Sequence, residues 1–143
     1  MANQVELDSV YMQTAALHAK LSKAKRAQVG AVLVTNLGVT LTGFNGTPSG
    51  TNNECEYEIN GELITKSEVI HAELNCILKA AKEGVSCIDS TVYVTLSPCL
   101  ACAAMLKQAG IRRLLYRDEY RDKSGIHYLY NNGVQVQQYF EKE

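Results

Sequence analysis

The stretch Ser90–Arg117, STVYVTLSPCLACAAMLKQAGIRRLLYR, decides the fold. It opens on STVYVTL, a short run rich in β-branched residues that reads as a strand. Ser97 is placed to cap the helix that follows, and Pro98 suits a first helical position, where its missing N–H would have had no partner anyway. That helix is predicted to run to about Ala109 and to end at Gly110. IRRLLYR then reads as a second strand. Strand, helix and strand in close succession form a crossover unit, which is right-handed and leaves its strands parallel with the helix packed on the sheet.

Working outward, a weaker helix from Gly125 to Asn132 leads to a last strand, VQVQQYF. Upstream, a helix is predicted from Ser67 to Glu83, with Thr65 and Glu68 at capping-box spacing and Gly84 as its stop. Before it lies GTPSGTNNECEYEINGELITK, read as the longest irregular stretch; loops of that length in compact domains carry function or move. QVGAVLVTN and VTLTGFN, joined by a turn at Leu37–Gly38, read as a β-hairpin. The first element is a helix from Asp8 to Lys23, with Val10, Ala15, Leu17 and Leu21 near one apolar stripe. The expectation is an α/β protein: a three-layer α/β/α sandwich around a five-stranded mixed sheet, forming one domain over residues 1–143.

Composition narrows the function. Of the 143 residues 46% are hydrophobic and 20% charged, enough for a core without disulfides. A formal net charge of −1 argues for a small substrate rather than a nucleic-acid backbone. MANQVELDSVYMQ lacks the basic and apolar regions of a signal peptide, and VGAVLV and TVYVTL are too short to span a bilayer. A soluble, cytoplasmic protein with no membrane partner is expected. Of the five cysteines, Cys99 and Cys102 alone have metal-ligand spacing; Cys55, Cys76 and Cys87 read as small buried hydrophobes.

The chemistry lies in HAE at His71–Glu73 and PCLAC at Pro98–Cys102. Together they make the H-x-E…P-C-x-x-C pattern, in which one His and two Cys hold zinc and the Glu is not a ligand. Cys99 and Cys102 are i and i+3, on one face of a helix. His71 and Glu73 are i and i+2, which mid-helix would point them roughly 200° apart. They can address one metal only if the helix begins almost at His71, which strains a start at Ser67. Three protein ligands leave a fourth position for water, the mark of a catalytic site. Zinc lowers the pKa of such a water to about 7, and Glu73 would shuttle protons from it to a ring nitrogen and the leaving ammonia. One catalytic zinc per chain is expected. A closed structural site would need a fourth ligand, for which His127, Cys55, Cys76 and His18 lack matched spacing.

With these motifs the chain resembles the cytidine and deoxycytidylate deaminase superfamily, and most of all the deoxycytidylate (dCMP) deaminases. GFNGTPSG at Gly43–Gly50, HAELN through Asn75 and YVTLSPCLACAAML carry that likeness, which covers about Gln28 to Val136. Free cytidine deaminases favour PCGxCRQ, where this chain reads PCLACAA. The resemblance implies that dCMP is the substrate, that Asn45 binds it near sugar and base, and that the backbone at Ala72 and Ser97 lines the base pocket. For the 5′-phosphate it favours Ser22 and Arg26, with Tyr120 a weaker partner. It also implies a homo-oligomer, a hexamer in many members, and dCTP and dTTP as effectors at a loop containing Gly46, Thr47 and Gly50. The later half of that loop departs from the family's cysteine-bearing pattern. The rival readings are a deaminase of single-stranded or transfer RNA bases, a free-nucleoside deaminase, and a zinc module without activity. Near-neutral charge and two Phe with no Trp speak against a nucleic-acid partner, and Glu73 speaks against an inert module.

Overall fold

The computed structural model describes residues 2–141. Its elements are α1 (Gln4–Ala19), β1 (Gly30–Val34), β2 (Thr40–Phe44), β3 (Glu56–Ile59), β4 (Glu62–Thr65), α2 (Ala72–Glu83), β5 (Thr91–Leu96), α3 (Leu100–Ala109), β6 (Arg113–Asp118), α4 (Ser124–Asn131) and β7 (Gln135–Gln138). Five strands form one mixed sheet in the order β2-β1-β5-β6-β7. β1 runs antiparallel to both its neighbours, and β5, β6 and β7 are parallel, as the crossovers require.

Strand alternation sends two sets of side chains to opposite faces. Ala31, Leu33, Val92, Val94, Leu114 and Tyr116 face α2, α3 and α4 and form the larger core with Cys76, Leu106 and Leu129. Val32, Tyr93 and Leu115 face α1, where they meet Met12 and Ala15. The result is the expected three-layer sandwich.

Several expectations need correction. α1 starts earlier, because the Asn3 side chain accepts from the Glu6 backbone N–H at 2.9 Å and caps it. Its inward face is Asp8, Met12, Ala15 and Ala19, not the stripe of Val10, Leu17 and Leu21, which are 58%, 62% and 53% exposed. The apolar stripe misleads because the buried face carries a charge. Asp8 accepts from Tyr93 Oη at 2.6 Å and from both Arg113 terminal nitrogens at 2.7 and 2.9 Å. Burial pushes the Asp8 carboxyl up, but the hydrogen bonds from Arg113, Tyr93 and Gln4 outweigh it and hold the carboxyl below its usual range.

The stretch after β2 is not wholly irregular. Glu56–Ile59 and Glu62–Thr65 pair as a separate two-stranded hairpin. Asn60 and Gly61 make its turn with φ of 52° and 82°, the left-handed pair that a tight two-residue turn demands. The Asn-Gly signal was present between EYEI and ELIT and marks the hairpin. The Thr65/Glu68 capping box does not form, because Thr65 ends β4 and the helix begins at Ala72. No helix of the described residues is long and apolar enough to cross a membrane.

Candidate metal centre and substrate cavity

His71 and Cys99 are the N-caps of α2 and α3, both in extended backbone conformation, and neither side chain bonds its own helix. An N-cap side chain ordinarily bonds the N2 or N3 backbone N–H; here both point elsewhere. Glu73 follows at N2 of α2 and Cys102 at N3 of α3. The start of α2 thereby resolves the i, i+2 problem, since His71 is not on the helix proper. Ser97 does not cap α3: its hydroxyl accepts from the Tyr120 backbone N–H at 2.7 Å, and Cys99 takes the capping position.

The two helix starts converge. His71 Nδ1 lies 3.0 Å from Cys102 Sγ and 3.8 Å from Cys99 Sγ, and the three donor atoms fall within 4.8 Å of one another. This donor set fits zinc. Ligands at about 2.0–2.3 Å around a tetrahedral ion subtend separations of this order, and one imidazole with two thiols is a donor set that zinc takes. Burial, Glu73 and Cys99 all push the Cys102 thiol above its usual range. Among the described residues no fourth His, Cys, Asp or Glu joins the group; His127, Cys55, Cys76 and His18 lie outside it. The described residues therefore offer a metal three ligands, the number that an open catalytic site uses.

Glu73 is 3% exposed. Burial drives its carboxyl above the ordinary glutamate range, against the opposing pull of its own backbone N–H, His71 and Cys102. Two glycines seat these turns. A Cβ on Gly43 of β2 would lie 2.6 Å from the Ala72 carbonyl, and one on Gly125 of α4 would lie 2.1 Å from that of Pro98. Only glycine lets β2 and α4 approach the two metal-bearing turns so closely.

A cavity of about 230 Å³ opens onto the centre. His71, Ala72, Glu73 and Cys99 border it on one side, and Arg26, Asn45, Ser97 and Tyr120 are also in its wall. Asn45 is largely committed to the backbone. Its Oδ1 accepts from Val29 N at 2.9 Å and its Nδ2 donates to Ala27 O at 2.8 Å, leaving one amide N–H for a ligand. Asn75 supports this turn by donating to Phe44 O at 2.7 Å. Ser22 is the one residue of the expected substrate set outside the cavity wall. It is 2% exposed, donates to Asn45 O at 2.8 Å and accepts from Ala24 N at 3.2 Å. Those two bonds brace the Asn45 turn. Gly46, Thr47 and Gly50 also lie outside the wall; Gly46 pairs with Ile70, one residue before His71. Sequence reasoning missed Glu56, Thr65 and Val69, which the hairpin and its return segment bring to the cavity.

An open His-Cys-Cys metal centre with a buried glutamate on an α/β/α sandwich defines the class of zinc-dependent deaminases. Residues 5–117 match the model of the cytidine and deoxycytidylate deaminase zinc-binding region, and the chain belongs to that family. It is 34% identical to the deoxycytidylate deaminase of Enterobacteria phage T4, over 90% of this chain and 87% of that protein. It is also 34% identical to the deoxycytidylate deaminase of Schizosaccharomyces pombe, over 95% of this chain but 45% of that longer protein. The crystal structure of dCMP deaminase from cyanophage S-TIM5 in complex with dCMP and dUMP superposes with a TM-score of 0.88 at 42% identity, covering 96% of this chain and all (100%) of that one.

Proposed function

We propose that this chain hydrolyses dCMP to dUMP and ammonia, with one zinc ion held by His71, Cys99 and Cys102. The observation that carries the reading is the position of Glu73, buried beside the three-donor group in the wall of a cavity whose wall also holds Arg26 and Tyr120. The named activity of the T4 and S. pombe relatives, and the nucleotides in the cyanophage structure, support the choice of substrate. When bound, zinc supplies a Lewis acid that brings the pKa of a water to about 7.

Glu73 removes the proton from the attacking water and delivers it to N3 of the cytosine ring. It then moves the second proton onto the departing amine, so the water oxygen remains at C4 as a carbonyl and nitrogen leaves as ammonia. Burial raises the Glu73 carboxyl above the ordinary glutamate range, which favours its giving a proton back as well as taking one. The free amide N–H of Asn45 and the backbone at Ala72 and Ser97 orient the base, while Arg26 and Tyr120 receive the 5′-phosphate. The exposed Val10 and Leu17 on α1, with Leu21 just beyond its end, support self-association.

Ammonia release measured in parallel on dCMP, CMP, deoxycytidine, dCTP and a single-stranded oligonucleotide tests the reading. The highest kcat/KM is expected on dCMP. A value on deoxycytidine equal to that on dCMP would remove the phosphate from the recognition. Turnover of the oligonucleotide alone would replace the substrate class.

A further inference from the structure

The β3–β4 hairpin holds the cavity's one guanidinium-bearing segment at a single rung. Glu56 and Thr65 are register partners across the hairpin. One carboxylate oxygen of Glu56 accepts from the backbone N–H groups of Lys25 and Arg26 at 2.8 and 3.0 Å. Across the rung, Thr65 Oγ1 accepts from Arg26 Nη1 at 3.3 Å. The carboxylate thus grips the main chain of Arg26 and the hydroxyl grips its side chain, and all three residues line the cavity shared with His71, Glu73 and Cys99. Two successive backbone N–H groups converging on one anion form a nest, and hydrogen bonds to a charged acceptor are the strong kind. Without Glu56 the main chain of the segment from Ala24 to Ala27 loses its only hydrogen bonds from the hairpin among the contacts described, and a long, rotamer-rich side chain is held by Thr65 alone.

We infer that Glu56 is a positioning residue for substrate selection: it fixes Arg26 where a nucleoside monophosphate presents its phosphate, with Thr65 completing the grip. The inference rests on the reading of Arg26 as the phosphate partner. Among the contacts described the Glu56 carboxylate bonds only Lys25 N and Arg26 N and neither Glu73 nor the three metal donors, so its effect belongs in KM for the phosphorylated substrate and not in the chemical step.

The test compares the zinc-loaded wild type with Arg26→Ala, Glu56→Ala, Glu56→Gln and the Arg26→Ala/Glu56→Ala double variant, measuring kcat and KM on dCMP and deoxycytidine. Glu56→Ala is expected to raise KM for dCMP about tenfold, the scale of lost hydrogen bonds to a charged group. Its kcat, and its kcat/KM on deoxycytidine, should stay within about twofold. Glu56→Gln keeps an oxygen that accepts both N–H groups and should restore most of the loss. The double variant should be no worse on dCMP than Arg26→Ala, since Glu56 acts through that residue. Equal losses on both substrates in Glu56→Ala would make it a plain structural brace, and a lower KM for dCMP would make the carboxylate a competitor of the phosphate; either overturns the inference. Full additivity in the double variant overturns it too. If Glu56→Ala does not fold, Thr65→Val reads the same grip and should raise KM for dCMP about twofold without touching deoxycytidine; no selective change would count against the inference. Arg26→Ala separates the two levels. Equal loss on both substrates in that variant defeats the phosphate reading and this inference with it, whereas a selective loss there without one in Glu56→Ala defeats the inference alone.

Discussion

On one side of the cavity the functional groups stand on the first turns of α2 and α3; on the other they stand on irregular chain between α1 and β1, on the β3–β4 hairpin and on the turn after β6. The metal side is made by local geometry. An N-cap and a residue two or three positions later set the residues of each turn, and the approach of the two helix starts brings His71, Cys99 and Cys102 together. The opposite side is made by contacts between residues far apart in the chain, such as Glu56 with Lys25 and Arg26, Asn45 with Ala27 and Val29, and Ser97 with Tyr120. On the proposed reading the metal side carries the chemistry and the hydrogen-bonded side the choice of substrate. The two should therefore fail separately when mutated.

The largest separation is expected at Glu73. Glu73→Gln keeps the shape of the side chain and leaves the three metal donors in place, but it cannot cycle a proton. Turnover should fall by about 10³-fold or more on every substrate, with one zinc per chain still found by elemental analysis and the ratio of dCMP to deoxycytidine KM unchanged. Substantial residual turnover at full zinc occupancy would remove Glu73 from the proton path.

The same division explains what could be read before the structure. Pro98–Cys102 and His71–Glu73 were legible because their meaning depends on neighbours three residues away at most. The demand that α2 start at His71 followed from the 3.6-residue repeat alone, and it was right against the capping-box signal at Thr65 and Glu68. The sheet was legible from the crossover logic of β5, α3 and β6. Two things were not. The hairpin is harder to read because EYEI and ELIT are only four residues each, almost wholly exposed, and set in a stretch rich in Gly, Asn and Thr, so its marks are the brief alternation of EYEI and the Asn60-Gly61 turn. The inward face of α1 was hidden because a buried Asp8 satisfied by Arg113 and Tyr93 looks in sequence like a surface residue.

That ion pair offers a perturbation remote from both sides of the cavity. Asp8 and Arg113 have side chains only 11% and 14% exposed. Asp8→Ala leaves Arg113 buried without its partner and should cost about 3 kcal/mol of folding stability, read by denaturant unfolding, while the KM ratio between dCMP and deoxycytidine holds. The pair also sets an acid limb. The folded-state pKa of Asp8 lies below the ordinary 3.8, so its contribution is fully present above that pH and is lost as pH falls through the folded value. Asp8→Ala should flatten that limb. An unchanged acid profile would remove Asp8 from the acid limb, and a shifted KM ratio would show that this face of the sheet reaches the cavity.

The finest test sits where the two sides meet. Gly43 precedes Asn45 by two residues on β2, and a Cβ there would press on the Ala72 carbonyl at 2.6 Å, on Cys76 Sγ at 3.1 Å and on Asn75 Cβ at 3.2 Å. One of the two elements must yield to Gly43→Ala. β2 is pinned to β1 by its ladder from Gly30–Phe44 through Val34–Thr40, and the Asn45 turn is braced by Ala27, Val29 and Ser22. The first turn of α2 has no side-chain cap, and its ties to this part of β2 are fewer, the Asn75–Phe44 O hydrogen bond and the Gly46–Ile70 bridge just before it. The helix start should therefore shift, carrying His71 and Glu73 away from Cys99 and Cys102, at an overpacking cost of about 1–3 kcal/mol. Zinc affinity and kcat should fall together by about tenfold, while KM for dCMP relative to deoxycytidine stays as it was. A changed KM ratio with zinc fully retained would mean that the Asn45 turn gave way instead, and that the hydrogen-bonded side of the cavity is the softer of the two.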